Sequence, residues 1–191
     1  MRVPSLVLVG LMTFSVSHGA AQSPRNSGAP ETFSANAQVK AGAGSLAATI
    51  QILIQRYTPD FDRTAVETAL KQGGYPGFVT ALRKAPEVGS VTVGDQKFPI
   101  RWAREQKTDK GRTIVVITDK PVFFVGGGRT EAKPRQGYEV AVIQLMVDEI
   151  GLGTGSMAAA ARVKPGGETG VQIDDYADEP IKLVTVSRKI L

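Results

Sequence analysis

Apolar residues recur at every second position through most of this chain, which is the period of a half-buried strand. Phe33, Ala35, Ala37 and Val39 alternate with polar or small residues and predict a first strand. After the flexible stretch Ala41-Gly-Ala-Gly44, Ile50, Ile52 and Ile54 alternate with Gln51 and Gln55, giving a second strand that runs to about Tyr57. Leu46, Ile50 and Leu53 also match a helical face; the β-branched content favours the strand. Val91-Thr-Val93 and Lys97 to Trp102 flank Gly94-Asp95, the signature of a tight hairpin. Thr108-Asp-Lys-Gly111 is another turn and leads into Thr113 to Ile117. Pro121 and Gly126-Gly-Gly128 break the next apolar piece. Tyr138 to Val147 is apolar on both alternating faces and reads as a central strand. Gly151, Gly153 and Gly155 punctuate the chain before the small-residue segment Met157 to Val163. Two last strands, Val171 to Tyr176 and Ile181 to Arg188, flank a bend at Ala177-Asp-Glu-Pro180.

The period changes once. Thr64-Ala-Val-Glu67 has the spacing of a capping box, Val66 and Leu70 supply a short apolar face, and Gly73-Gly74 a stop. Pro76 to Lys84, with Phe78, Val79 and Leu82 on one side, gives a second short helix ended by Pro86. The expectation is a mainly β fold, an antiparallel barrel-like sheet or two-layer sandwich of about nine strands. A short helix pair is inserted near residues 63–85.

The first residues follow a different pattern. Met1-Arg2, the apolar run Val3 to Val16 and Gly19-Ala20-Ala21 have the layout of a cleavable secretory signal over residues 1–21. Residues 22–31 are polar and Pro/Gly/Ser-containing, the composition of a flexible leader, and residues 32–191 form a single β-rich domain. The signal run is too short for a membrane span, and no later stretch is apolar enough for one. These features predict an exported protein, periplasmic or secreted and bacterial. Losing Arg2 with the signal lowers the formal charge from +5 to about +4. The positive residues are dispersed, which argues against nucleic acid as a partner.

Composition then removes chemistries. The chain has no cysteine, and its one histidine, His18, lies inside the signal. Serine or cysteine nucleophiles activated by histidine, thiolate clusters and histidine-liganded metals are therefore excluded from the mature domain. No catalytic residue, metal ligand or cofactor is assigned. Asp174-Asp175-Tyr-Ala-Asp178-Glu179 is the densest acidic cluster; it lacks the spacing of a calcium loop and reads as a turn. Gly126-Gly-Gly-Arg129-Thr130 lacks the ending of a phosphate loop, and Gly151-Leu-Gly-Thr-Gly155 lacks the context of a dinucleotide fingerprint. Strict alternation puts Phe98, Ile100, Trp102 and Arg104 on one face, Arg104 pointing inward with Asp119 as its partner and Glu105 on the opposite face. That contact reads first as an ion pair holding the sheet rim, second as a grip on an anionic ligand. Trp102, Arg104 and Asp119 are the candidate ligand-binding residues.

The hairpin Val91 to Arg104, with the phrase Phe-Pro-Ile-Arg-Trp-Ala-Arg, followed by Gly111-Arg-Thr-Ile and Thr118-Asp-Lys-Pro121, resembles a group of exported bacterial proteins of unassigned function. The resemblance spans about residues 88–190 and implies an envelope location and a β-rich domain, without an activity. The functional expectation is a non-enzymatic domain that binds a small apolar or amphiphilic ligand or an envelope partner protein. The alternatives are a carboxylate-dependent hydrolase of envelope polysaccharide using Asp119 and Asp148, and an oligomeric accessory protein.

Overall fold

The structure, a computed structural model, describes residues 29–41, 44–123, 135–167 and 169–189. The expected signal, most of the leader and the Gly126-Gly-Gly128 loop lie outside the described residues. Period-two alternation becomes nine strands: β1 (Glu31–Ala41), β2 (Gly44–Ile54), β3 (Gly89–Val93), β4 (Gln96–Thr108), β5 (Gly111–Thr118), β6 (Val140–Val147), β7 (Leu152–Pro165), β8 (Val171–Tyr176) and β9 (Ile181–Lys189). A helical segment, α1 (Asp60–Lys84), joins β2 to β3. Every pairing is antiparallel, and β1 to β6 form a meander. β7 pairs with β6 along one edge and with β9 along the other, while β9 pairs with β1, so eight strands close into a barrel. β8 is the extra strand.

The last three strands are one long hairpin. β7 pairs with β8 through Ala161–Pro165 and with β9 through Leu152–Met157. The segment 177–180 keeps the expected bend, at Ala177 and Asp178, but β8 and β9 on either side of it both pair with β7 and not with each other. The Met157–Val163 stretch lies within the longest strand of the barrel. Gly153 and Gly155 explain why that stretch looks unlike a strand in sequence. A Cβ on either would run into the carbonyls of Met146 and Gln144, so the two strands approach too closely there for a side chain.

Two apolar cores share the barrel wall. Phe33, Ile50, Ile52, Ile54, Ile100 and Ile143 point inward, fully buried, into a barrel interior filled by side chains. Eight strands give an interior about wide enough for that. The second core lies between α1 and the outer wall. Val66, Leu70, Phe78 and Leu82 of the helix meet Trp102, Ile117, Val140 and Val142 of β4, β5 and β6. β6 is thus covered on both faces, which is why its sequence is apolar at consecutive positions. The helix breaks at Gly74 (φ 59°, ψ −158°), between the two helices expected from the sequence. It begins a turn earlier than the capping-box spacing indicates: Thr64 Oγ1 donates to the Asp60 carbonyl at 2.8 Å, inside the helix, and Asp60 and Asp62 occupy the first turn.

Bulges set which side chain faces which core. In β9 the register with both neighbours slips by one residue, because Ser187 opposes Ser34 and Val184 opposes Asn36, while Val186 opposes Gly153 and Leu183 opposes Gly155. Thr185 sits in that slip at φ 53°, the only described non-glycine residue with positive φ. A β-branched residue there is strained by about 1–2 kcal/mol. Thr185→Asn, which tolerates the left-handed region, is expected to stabilise the protein by about 0.5–1 kcal/mol. The readout is a higher urea midpoint at unchanged slope; an unchanged or lower midpoint contradicts the strain.

Candidate functional site

The barrel interior is apolar except at one end, and the polar residues there follow from strand phase. Glu31 continues the inward face of Phe33 and Ala35, Arg112 that of Ile114 and Val116, and Glu105 that of Ala103. The three side chains meet. Arg112 donates from Nη1 to Glu31 Oε1 at 3.0 Å and from Nη2 to Glu31 Oε2 at 2.7 Å, a bidentate fork. The same Nη1 donates to Glu105 Oε2 at 2.6 Å. Tyr57, in the loop leaving β2, donates its hydroxyl to Glu31 Oε1, and Arg188 Nη1 lies 3.9 Å from Glu31 Oε2. The Arg112 guanidinium also stacks over Phe33, 5.6 Å from the ring centroid. Glu31 is 3% exposed.

The electrostatics are those of a closed network. Burial works against the charge on Arg112, but the hydrogen bonds to Glu31 and Glu105 outweigh it and hold its pKa above the usual arginine range. Burial first, then the bond to Glu31, pushes the Tyr57 phenol far above the usual range. The two carboxylates share one nitrogen, so their nearest oxygens are no more than about 6 Å apart, close to the spacing of a retaining glycosidase. Access is missing. The arginine stands between the carboxylates and bonds to both, which leaves no room between them for a glycosidic oxygen. The arrangement ties β1, β4, β5 and β9 together as an ionic plug.

The residues singled out by sequence do not converge on a ligand site. Arg101 is an extra residue in β4: Ile100 opposes Thr118 and Trp102 opposes Ile117. This bulge reverses the alternation downstream of it. Ile100 faces the interior, Trp102 faces α1, and Arg104 lies outside beside Glu67 of the helix at 3.7 Å. Burial and the neighbouring Arg63 guanidinium lower the Arg104 pKa against the pull of Glu67. Glu105, expected on the wrong face, is the one inside. Asp119 accepts from Arg101 Nε at 2.9 Å, not from Arg104, and Arg101 Nη1 also reaches the Ala85 carbonyl at the helix C-terminus, 3.2 Å away. The rim ion pair therefore exists, with Arg101 as its cation. Trp102 is 0% exposed, and its Nε1 has no partner.

Asp119 and Asp148 cannot act as a pair. Asp148 lies beside Gly111 at the start of β5 and Asp119 follows the end of that strand, about 25 Å away along the barrel. Asp148 accepts from the amides of Ile150 and Leu152 at 3.1 and 2.8 Å, so it shapes its own turn. The acidic cluster of β8 is also engaged: Asp174 pairs with Arg162 and Lys164, and Asp175 accepts from Tyr138, a bond that lowers the Asp175 pKa. Among the described residues, no group of acidic side chains is arranged to hold a metal ion.

Glu31, Tyr57, Glu105 and Arg112 were missed by sequence reasoning. Glu31 and Arg112 carried a signal, since each lies two residues before an in-phase apolar run. Glu105 carried none, because a one-residue bulge in an extended strand leaves no mark in composition. The open depression at the same end of the barrel, about 340 Å³, is lined by Asp109, Lys110, Asp148, Glu149 and Ile150 from the β4–β5 and β6–β7 turns. Comparison with protein families, curated proteins and solved structures finds no match to this chain.

Two outcomes follow from this arrangement. Tyr57 and Tyr75 both have raised pKa values, in each case first through burial. Their protonated forms favour the fold. That stability is intact below the unfolded tyrosine pKa of about 10 and is lost as the pH climbs above it. At least two of the four tyrosines, Tyr57 and Tyr75, should stay protonated through about pH 11 and ionise only as circular dichroism is lost. Four tyrosines titrating together in the folded protein would contradict the plug. Trp102→Ala should cost about 3–5 kcal/mol. Trp102→Phe should cost much less, since it keeps most of the volume and removes an unpaired buried N–H. Native emission should be blue-shifted and resistant to iodide.

Proposed function

We propose that this protein is an exported, non-enzymatic barrel of the bacterial cell envelope that works by binding a partner protein on its outer surface. The observation that carries the reading is the packed interior. The space in which an eight-stranded barrel would hold a small molecule is taken by its own isoleucines, phenylalanine and alanines. The plug of Glu31, Arg112 and Glu105 occupies one end. This supports binding on the exterior over a small apolar or amphiphilic ligand held inside. Export is supported by the signal-like layout of residues 1–21.

The contact region is the rim at the plugged end. Ile150 stands 69% exposed in the depression between Asp109, Asp148 and Glu149, and Met146 and Leu152 are exposed on the adjoining hairpin arms. An apolar anchor beside three carboxylates and one lysine, Lys110, suits a partner that presents an apolar side chain flanked by more basic than acidic groups. A photo-cross-linking residue at position 150, used in the producing cell, tests this. One adduct of defined mass is expected, on a mature chain beginning at Gln22 or Ala21. It should disappear when Asp109 and Glu149 are both changed to lysine. No adduct, or a small molecule retained stoichiometrically in native mass spectrometry, overturns the reading.

A further inference from the structure

The outer wall of the barrel has two unlike halves. α1 covers β4, β5, β6 and the second part of β7, where the outward residues include Trp102, Ile117, Val142, Ala158 and Ala161. The other half, formed by β2, β1, β9 and the first part of β7, carries neither helix nor strand over it among the described residues. Register aligns its outward side chains into rows that cross the strands. Thr92, Gln51, Ser34, Ser187 and Leu152 stand side by side across five strands, each opposite the next. Asn36 and Thr49 form part of a second row, where the Thr49 hydroxyl lies 3.4 Å from Asn36 Oδ1.

Among its described side chains this half carries little charge. A soluble surface is ordinarily about 25–35% charged. Among the described outward positions of these four strands the charges are Lys182 and Lys189, one at each end of β9. The rest are hydroxyls, carboxamides and small or aliphatic groups. Charge depletion, rather than bulk hydrophobicity, is one part of the compositional mark of the centre of a protein interface.

We infer that this neutral wall is a self-association surface, and that its occupant is the same wall of a second copy of the chain. Two properties favour a second copy. Serine, threonine, asparagine and glutamine each donate and accept, so the patch is complementary to itself about a twofold axis. The chain carries a formal charge of +5, and a neutral patch lets two such copies meet without opposing like charges. A strongly charged partner would find no complement. An uncharged glycan would find hydroxyl partners, but no outward aromatic ring on these strands on which to stack.

Four strands about 4.8 Å apart and some seven residues long make a face of roughly 450 Å² per copy, about 900 Å² in total. That is just below the lower bound for a specific interface, so the dimer is a weak one, dissociating in the micromolar range. The inference stands apart from the partner-binding rim, which lies at the barrel end and meets this wall only at Leu152.

Sedimentation velocity of the mature chain across the micromolar range tests it. The average mass should rise from monomer to dimer with concentration. Gln51→Lys with Asn36→Lys, both exposed and checked for unchanged thermal unfolding, should raise the dissociation constant at least about tenfold. So should Gln51→Glu with Asn36→Glu. Mixing the lysine and glutamate variants should restore a dimer, and Lys71→Glu on the exposed side of α1 should leave it unchanged. Three results overturn the inference: a monomer at every concentration, a dimer indifferent to these charges, or a monomer retained by an immobilised uncharged glucan, which would assign the wall to a glycan instead.

Discussion

The closure of the barrel through β7 is the constraint on which the other features depend. Both edges of this strand are hydrogen-bonded, to β6 and to β9. Closure leaves the barrel no free edge within its ring and fixes an interior of one size. Gly153 and Gly155 make the approach to β6 possible, because any side chain there would strike the β6 carbonyls. Once the ring is closed, each strand has one inward and one outward face. The inward faces are committed to a packed apolar core that leaves the outer wall and the rims for recognition.

Charge enters that core only at its end, and there it is balanced. Glu31 and Glu105 set two carboxylates against Arg112, with Arg188 at longer range and Tyr57 donating to Glu31. A buried arginine with two carboxylate partners offsets part of its desolvation through charge-assisted bonds, whereas removal of Arg112 would leave Glu31 and Glu105 without their shared cation. The network also makes the first residue of β1 part of the barrel's closure. Arg101 plays the matching role outside, joining Asp119 to the C-terminus of α1 and so holding the helix against the wall.

The same geometry divides the exterior by chemistry. One half of the wall is an apolar seat for α1, the other half is neutral and bare, and the plugged rim carries an exposed isoleucine among carboxylates. Among the described residues, Glu31 and Glu105 are locked by Arg112, and Asp119 and Asp148 are separated by the length of the barrel; residues 22–191 contain neither histidine nor cysteine.

Alternation, turn residues and one change of period were enough to read nine strands, the helical insertion and its break, because each is written in neighbouring residues. Ile50, Ile52 and Ile54 needed only a period of two, and Gly94-Asp95 only the preferences of a hairpin turn. The sequence by itself also determined which chemistries are absent, since composition does not depend on fold. Tertiary structure alone decided barrel against sandwich, because closure is a contact between β7 and strands at both ends of the order. It also decided the candidate site. A single extra residue, Arg101, turned Trp102 and Arg104 outward and Glu105 inward, and exchanged Arg104 for Arg101 as the partner of Asp119. A bulge is a slip of register between two strands, and register exists only once the partner strand is in place.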